Sequence, residues 1–213
     1  MNKLKFSCKK CGNCCKNRYL CFYFFEKGIV DKYKGKIDSD FELESFRFYF
    51  DLTNKKIIDI IYRINTKPCP FFDSSCMIQS QKFISCQKYP INTFIDLGFL
   101  SLLGFNKLYF DIDKECSFIK KTNNFIKNLK NQKLEKLFPT EYDANLKDYE
   151  IWKNIDKKIK YYKINFNFNI LIDFKLKKRK ISDYRTYLKN WDHLNFDEYE
   201  VWLGSRTKRY KKL

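Results

Sequence analysis

The sequence predicts an α+β fold in two parts. A small cysteine-cluster domain with short strands, stapled by metal, occupies residues 1–120. A basic, mainly helical region over residues 121–213 packs on it and contains one long strand. Three observations predict this. All nine cysteines lie between Cys8 and Cys116, and the rest of the chain has none. An aromatic run, Phe41 to Phe50, and a β-branched run, Lys56 to Ile64, flank the turn-formers of Asp51 to Lys55. Beyond Lys120 the apolar residues first recur at helical spacing and then alternate strictly. At 213 residues the chain is long enough to bury a real core.

In chain order, the opening cysteines are followed by a β-hairpin, Phe41–Phe50 and Lys56–Ile64, which carries the chain into Cys69. Pro68 and Pro70 hold the approach to Cys69 extended. Pro90 to Phe94 and Lys107 to Ile112 are further strands, the second delivering Cys116. A helix runs from Asn123 to Leu137 through Phe125, Ile126, Leu129 and Leu134, and Pro139 ends it. Thr140 and Asp143 offer caps for the next helix, toward Tyr162, whose apolar positions are Leu146, Ile151, Trp152, Ile155 and Ile159. From Ile164 to Phe174 apolar residues alternate with Asn165, Asn167 and Asn169, the cleanest strand signal in the chain. Ser182 caps a helix holding Tyr184, Tyr187, Leu188 and Trp191, and Phe196 to Leu203 opens a last amphipathic helix.

The composition removes several classes. Aromatics reach 19% with six glycines and four prolines, which excludes collagen-like, low-complexity and disordered chains. The longest apolar run, Leu97 to Phe105, is far short of the ~20 residues that span a bilayer. No leader of the secretory kind opens the chain before Cys8, so the expectation is a cytoplasmic protein with no membrane partner. The net charge of +18 invites a nucleic-acid reading. However, the chain is rich in Lys, Asn, Ile, Phe and Tyr and has Ala144 as its only alanine, the skew of an AT-rich genome. Its densest basic cluster, Lys175 to Lys180, reads first as a solvated face.

The cysteines carry the chemistry. A disulfide framework calls for an export signal, an even count and a short chain, and none of these holds. Thiols two residues apart bring both sulfurs toward one point, the usual way to wrap a metal. Cys8, Cys11 and Cys14 match the first three ligands of a ferredoxin run, whereas the adjacent Cys15 does not match the fourth. An extended backbone would send neighbouring side chains to opposite sides, so one of Cys14 and Cys15 serves a second site or packs as a small apolar residue. Gly12 stands where a tight loop needs positive φ. Lys9, Lys10, Lys16 and Arg18 either favour thiolate formation or solvate the surface. Cys69, Cys76, Cys86 and Cys116 complete eight candidate ligands, enough for one site with spares or for two.

The stretch Phe6-Ser7-Cys8 through Cys11-Gly12 to Cys14-Cys15, followed by Cys69-Pro70-Phe71-Phe72-Asp73, Cys76-Met77-Ile78, Cys86-Gln87-Lys88-Tyr89-Pro90 and Cys116, resembles the YkgJ-type CxxCxxCC family. That family is described as a zinc- or iron-chelating domain. Some members are described as iron–sulfur oxidoreductases, and flagellin lysine N-methylases are related to it. The resemblance covers about residues 6–120 and implies Cys8, Cys11, Cys14, Cys15, Cys69, Cys76, Cys86 and Cys116 as metal ligands. Two departures stand out: Gln87-Lys88-Tyr89-Pro90 replaces an arginine-rich turn, and Cys21 is additional.

Other sites are not legible. There is no glycine-rich phosphate loop. His193, the lone histidine, reads as a helix-surface or half-buried residue, and Asp111 and Asp113 as an exposed strand edge. The expected function is a metal-binding protein whose thiolates hold an iron–sulfur cluster of the 4Fe-4S type or zinc, the three-cysteine spacing favouring iron–sulfur. Its expected partners are the metal or cluster and a protein substrate or redox partner. The alternatives are a protein lysine N-methylase-like enzyme, which rests on the resemblance alone, and a zinc-stapled nucleic-acid-binding protein.

Overall fold

A computed structural model describes residues 5–37, 40–51, 54–95, 108–121, 134–162 and 190–210. It is a mixture of helices and strands, as the α+β expectation requires. The predicted strand at 164–174, the basic cluster at 175–180, the helix begun by Ser182 and most of the helix begun by Asn123 lie outside the described residues, as does the apolar run at 97–105.

The chain opens with a short helix, α1 (Asn13–Asn17), then strand β1 (Cys21–Tyr23), a 3-10 turn (Phe24–Glu26) and helix α2 (Lys27–Lys34). The predicted hairpin follows as β2 (Leu43–Asp51) and β3 (Lys56–Ile64). Asp51 closes its turn by accepting from the backbone and side-chain nitrogens of Asn54, at 3.1 and 2.6 Å. β3 is the centre of a four-stranded sheet, and its β-branched run is buried in the apolar clusters packed on the sheet, Ile58 and Ile60 in one and Ile64 in another. β2 lies antiparallel along one edge; the other edge is shared by β1, antiparallel, and by β8 (Asp192–Asn195), parallel. Two small antiparallel pairs complete the strands: β4 (Phe72–Asp73) with β5 (Ser75–Cys76), and β6 (Ile91–Ile95) with β7 (Leu108–Ile112). The last pair is the one predicted, with its members joined to each other.

Helix α3 (Ile84–Gln87) carries Cys86, and α4 (Ser117–Lys121) follows Cys116. The short α5 (Leu134–Leu137) leads into the long α6 (Pro139–Tyr161). The helix ending at Leu137 stops just before Pro139, as expected, and Pro139 is also the first residue of α6. Proline there gives up an N–H that has no helical partner anyway, and its fixed φ suits the first turn. The buried stripe of α6 is Glu141, Ala144, Asn145, Asp148, Ile155 and Ile159, with Trp152 half-buried. Leu146, expected to be apolar core, is exposed because it points about 150° around the helix from the centre of that stripe. Asn195 opens the final helix, α7 (Phe196–Tyr210), with a reciprocal cap: Glu198 N–H donates to its side chain at 3.0 Å and Glu198 accepts its N–H at 2.8 Å.

Three apolar clusters hold these elements together. The largest unites Tyr23, Phe24, Ile58 and Ile60 from the front half with Ile155, Ile159, Phe196 and Tyr199 from the rear. A second packs β1, α2 and the turns around Cys69 through Phe22, Val30, Ile64, Phe71 and Phe83. The third joins Phe6, Ile91, Cys116, Ile119, Leu137 and Phe138. No helix among the described residues is long and apolar enough to cross a membrane.

Candidate metal centre and adjoining cavity

The first cysteine segment is pinned at both ends. Phe6 is buried against Phe118 and Phe138, and its N–H donates to the Leu137 carbonyl at 2.8 Å. After the loop bearing Cys8 and Cys11, Gly12 takes φ +71°, the left-handed value expected for it, and starts α1. A Cβ on Gly12 would stand 2.1 Å from the Phe72 ring, so only glycine lets that ring close on the loop. α1 is tied to the later cysteine segments by the Cys69 N–H, which donates to the Cys15 carbonyl at 2.7 Å, and by the Asn13 amide, which donates to the Glu115 carbonyl at 2.6 Å. Arg18 pairs with Asp113 and lies over the Tyr89 ring at 4.8 Å. Asp113 is therefore a structural partner, not an exposed edge residue.

These ties sort the predicted thiols into two adjoining neighbourhoods. Cys15, Cys69, Cys76 and Cys86 pack in or against one apolar cluster, with Cys14 beside Cys15. Cys8 and Cys11 lie within electrostatic reach of Cys116. Cys11 in turn feels Cys14 and meets the Ser117 hydroxyl at 2.8 Å. Cys14 and Cys15 are not splayed apart as an extended backbone would require. They share a helical turn, where neighbours are about 100° apart, and their sulfurs are 3.9 Å from each other. All nine cysteines are free of disulfides. Among the described residues, no three or more cysteine, histidine or carboxylate side chains are gathered closely enough to hold a metal ion. The two neighbourhoods thus supply sulfur donors of the right chemistry in a looser arrangement than a closed coordination shell.

The thiols differ in acidity. The hydrogen bond from Cys15 holds Cys14 down at about 6, and Lys82 adds a smaller pull in the same direction. Cys15 is raised by the same bond, then by burial. Burial pushes Cys69 up to about 11 and also raises Cys86, Cys116 and Cys21. The Ser117 hydroxyl lowers Cys11. Of the cations expected to favour thiolates, Arg18 is engaged by Asp113 and Lys16 lies 5.6 Å from the centre of the Phe72 ring.

Buried polar anchors hold the supporting elements. Glu26 accepts the Tyr23 N–H at 2.9 Å and the Ile84 N–H at 2.8 Å, joining β1 to the start of the helix that carries Cys86. Ser85 donates to the Cys21 carbonyl. Asn145, fully buried on α6, donates to the Lys88 and Ile91 carbonyls at 3.3 and 3.4 Å. His193 is on strand β8, not on a helix, and its Nδ1 stands 3.2 Å from the buried carboxylate of Asp59. It is remote in role from the thiols.

A cavity of about 610 Å³ adjoins this centre, walled by Cys14, Cys15, Cys69 and Cys86, by the extra Cys21, and by residues of β2 and α6. Within its wall, Asp148 accepts from the Tyr23 hydroxyl and from Lys88, both at 2.7 Å. Sequence reasoning missed Tyr23, Arg47, Lys88 and Asp148. One signal was present: Asp148 interrupts the apolar stripe of α6 at a core position. No family model, no curated protein and no solved structure matches this chain.

Proposed function

We propose that this protein binds metal through its cysteine thiolates, holding an iron–sulfur cluster or zinc. One observation carries the reading: disulfide-free thiols from separate chain segments meet in two adjoining neighbourhoods. Cys14, Cys15, Cys69, Cys76 and Cys86 would serve one, and Cys8, Cys11 and Cys116 the other. Sulfur-only donors suit both zinc and iron–sulfur, and the 8-11-14 spacing favours iron–sulfur. Metal would draw the thiols inward from their present arrangement, so its binding energy would become folding energy. Bound, it would supply either a rigid staple or a one-electron carrier. The cavity walled by four of the proposed ligands supports a redox or protein-modifying role over a purely structural one.

The test is metal analysis of protein purified without oxygen. Brown colour with visible charge-transfer absorbance and bound iron is expected for the iron–sulfur form; colourless protein with stoichiometric zinc identifies the other. Cys69→Ser and Cys86→Ser should lose most of the metal, whereas Cys21→Ser should keep it. Protein that carries neither metal, or serine variants that load like the parent, would overturn the reading.

A further inference from the structure

The cavity beside the thiols has a chemistry of its own. Its volume, about 610 Å³, lies in the range that takes a small organic molecule. Its aromatic lining includes Tyr23 of β1, Tyr49 of β2 and Trp152 of α6, the first and last with ring centroids 6.1 Å apart. Such walls hold a flat apolar body.

Charge decides what else the ligand carries. The cavity wall contains the cations Arg18, Arg47, Lys88 and Lys153 and the anions Asp148 and Asp156. Both anions are already matched, Asp148 by Lys88 and Asp156 by Lys160, each at 2.7 Å. Arg18 is matched by Asp113 and Lys153 by Glu150. Arg47 differs: it makes no ion pair among the described residues, and its guanidinium lies over the Trp152 ring at 5.3 Å. Stacking occupies the face of a guanidinium and leaves its N–H edge, the fork that matches a carboxylate, available.

The backbone is distorted at the same residue. The β2–β3 register shifts on both sides of Arg47, between Ser45 and Arg47 and between Arg47 and Phe48. A bulge re-aims the side chain it carries, and here that side chain reaches α6.

We infer that this cavity binds a small aromatic carboxylate, its acid group held by Arg47 and its ring against Trp152 and Tyr49. The residues that would hold the ligand, Arg47, Trp152 and Tyr49, are on β2 and α6 and none is among the proposed metal ligands.

Calorimetric titration of the full chain with 2-naphthoate, its uncharged amide and the cationic 2-naphthylmethylamine tests the inference. Naphthoate should bind about tenfold or more tighter than either isostere, the worth of one charge-assisted hydrogen bond. Arg47→Gln should bring naphthoate down to the amide's affinity, and Arg47→Lys should recover only part of the loss. Trp152→Leu should weaken all three ligands together. Lys34→Gln, an exposed cation on α2, should change nothing, which separates Arg47 from general attraction to a basic protein. Equal binding of the amine and the acid would overturn the inference. So would an Arg47→Gln protein of unchanged far-ultraviolet spectrum and unchanged naphthoate affinity, or no binding of any of the three.

Discussion

Glu26 shows how a single buried group governs a remote one. Its carboxylate is the acceptor for two backbone N–H groups that begin different elements, and burial holds its pKa above the ordinary range despite those bonds. Glu26→Ala would orphan both donors at about 1–3 kcal/mol each, less whatever water recovers by entering. Urea unfolding should therefore show a large loss; a change within experimental error would mean that the two N–H groups find other partners. His193 makes a pH-dependent contribution. The hydrogen bond to Asp59 raises its pKa above the ordinary histidine value. The folded state then holds the proton more tightly than the unfolded chain. The stabilisation is complete below about pH 6.5 and fades as pH rises through the folded value. Melting temperatures of the parent and His193→Asn should accordingly differ most in mild acid and converge in alkali. Parallel curves across that span would remove Asp59 as the cause.

At the level of elements, α1 carries Cys14 and Cys15 between the two thiol neighbourhoods, and the left-handed turn at Gly12 leads into it. Gly12→Ala meets two separate penalties: about 1–2 kcal/mol for a left-handed L-residue, and displacement of the Phe72 ring that a Cβ would overlap. The substitution should lower the melting temperature and reduce metal loading together. Normal loading in a destabilised protein would show that the Phe72 contact is not what brings Cys76 to Cys14 and Cys15. The left-handed turn was legible in the sequence from the glycine between two cysteines. The helical pairing of Cys14 with Cys15 was not, because adjacency alone does not reveal the local backbone. Likewise the hairpin was plain in its β-branched strand and turn-formers, whereas the bulge at Arg47 left no mark. The residue it carries, Arg47, meets Trp152 of α6 a hundred residues further on, a contact no local pattern encodes.

Across the whole molecule, front and rear halves share one apolar cluster and one sheet, since β8 pairs with β3 and α6 and α7 pack on Tyr23, Phe24, Ile58 and Ile60. Unfolding should be a single cooperative event. Tryptophan fluorescence, which reports Trp152, Trp191 and Trp202, and far-ultraviolet circular dichroism should give coincident denaturant curves. Two separated transitions would mean that the shared cluster contributes little. Metal removal belongs to the same scale: on the proposed reading, stripping the protein with a strong chelator should lower its melting temperature, because ligands drawn from distant segments would cross-link the fold. An unchanged melting curve after complete removal would leave the thiols a local role only.

What the residues alone determined is local: the α+β mixture, the hairpin, the β6–β7 strands, the glycine turn, the long helix before Tyr162 and the confinement of cysteine to the front half. Each follows from spacing within a few positions, which the chain carries whatever its surroundings. Tertiary structure decided the rest: which thiols adjoin, that Asp148 meets Tyr23 and Lys88, that Arg47 reaches Trp152, and that a cavity opens beside the sulfurs. Those contacts join segments many tens of residues apart. They are set by how the faces of α6 and the central sheet interlock, a balance of packing that no single stretch of residues encodes.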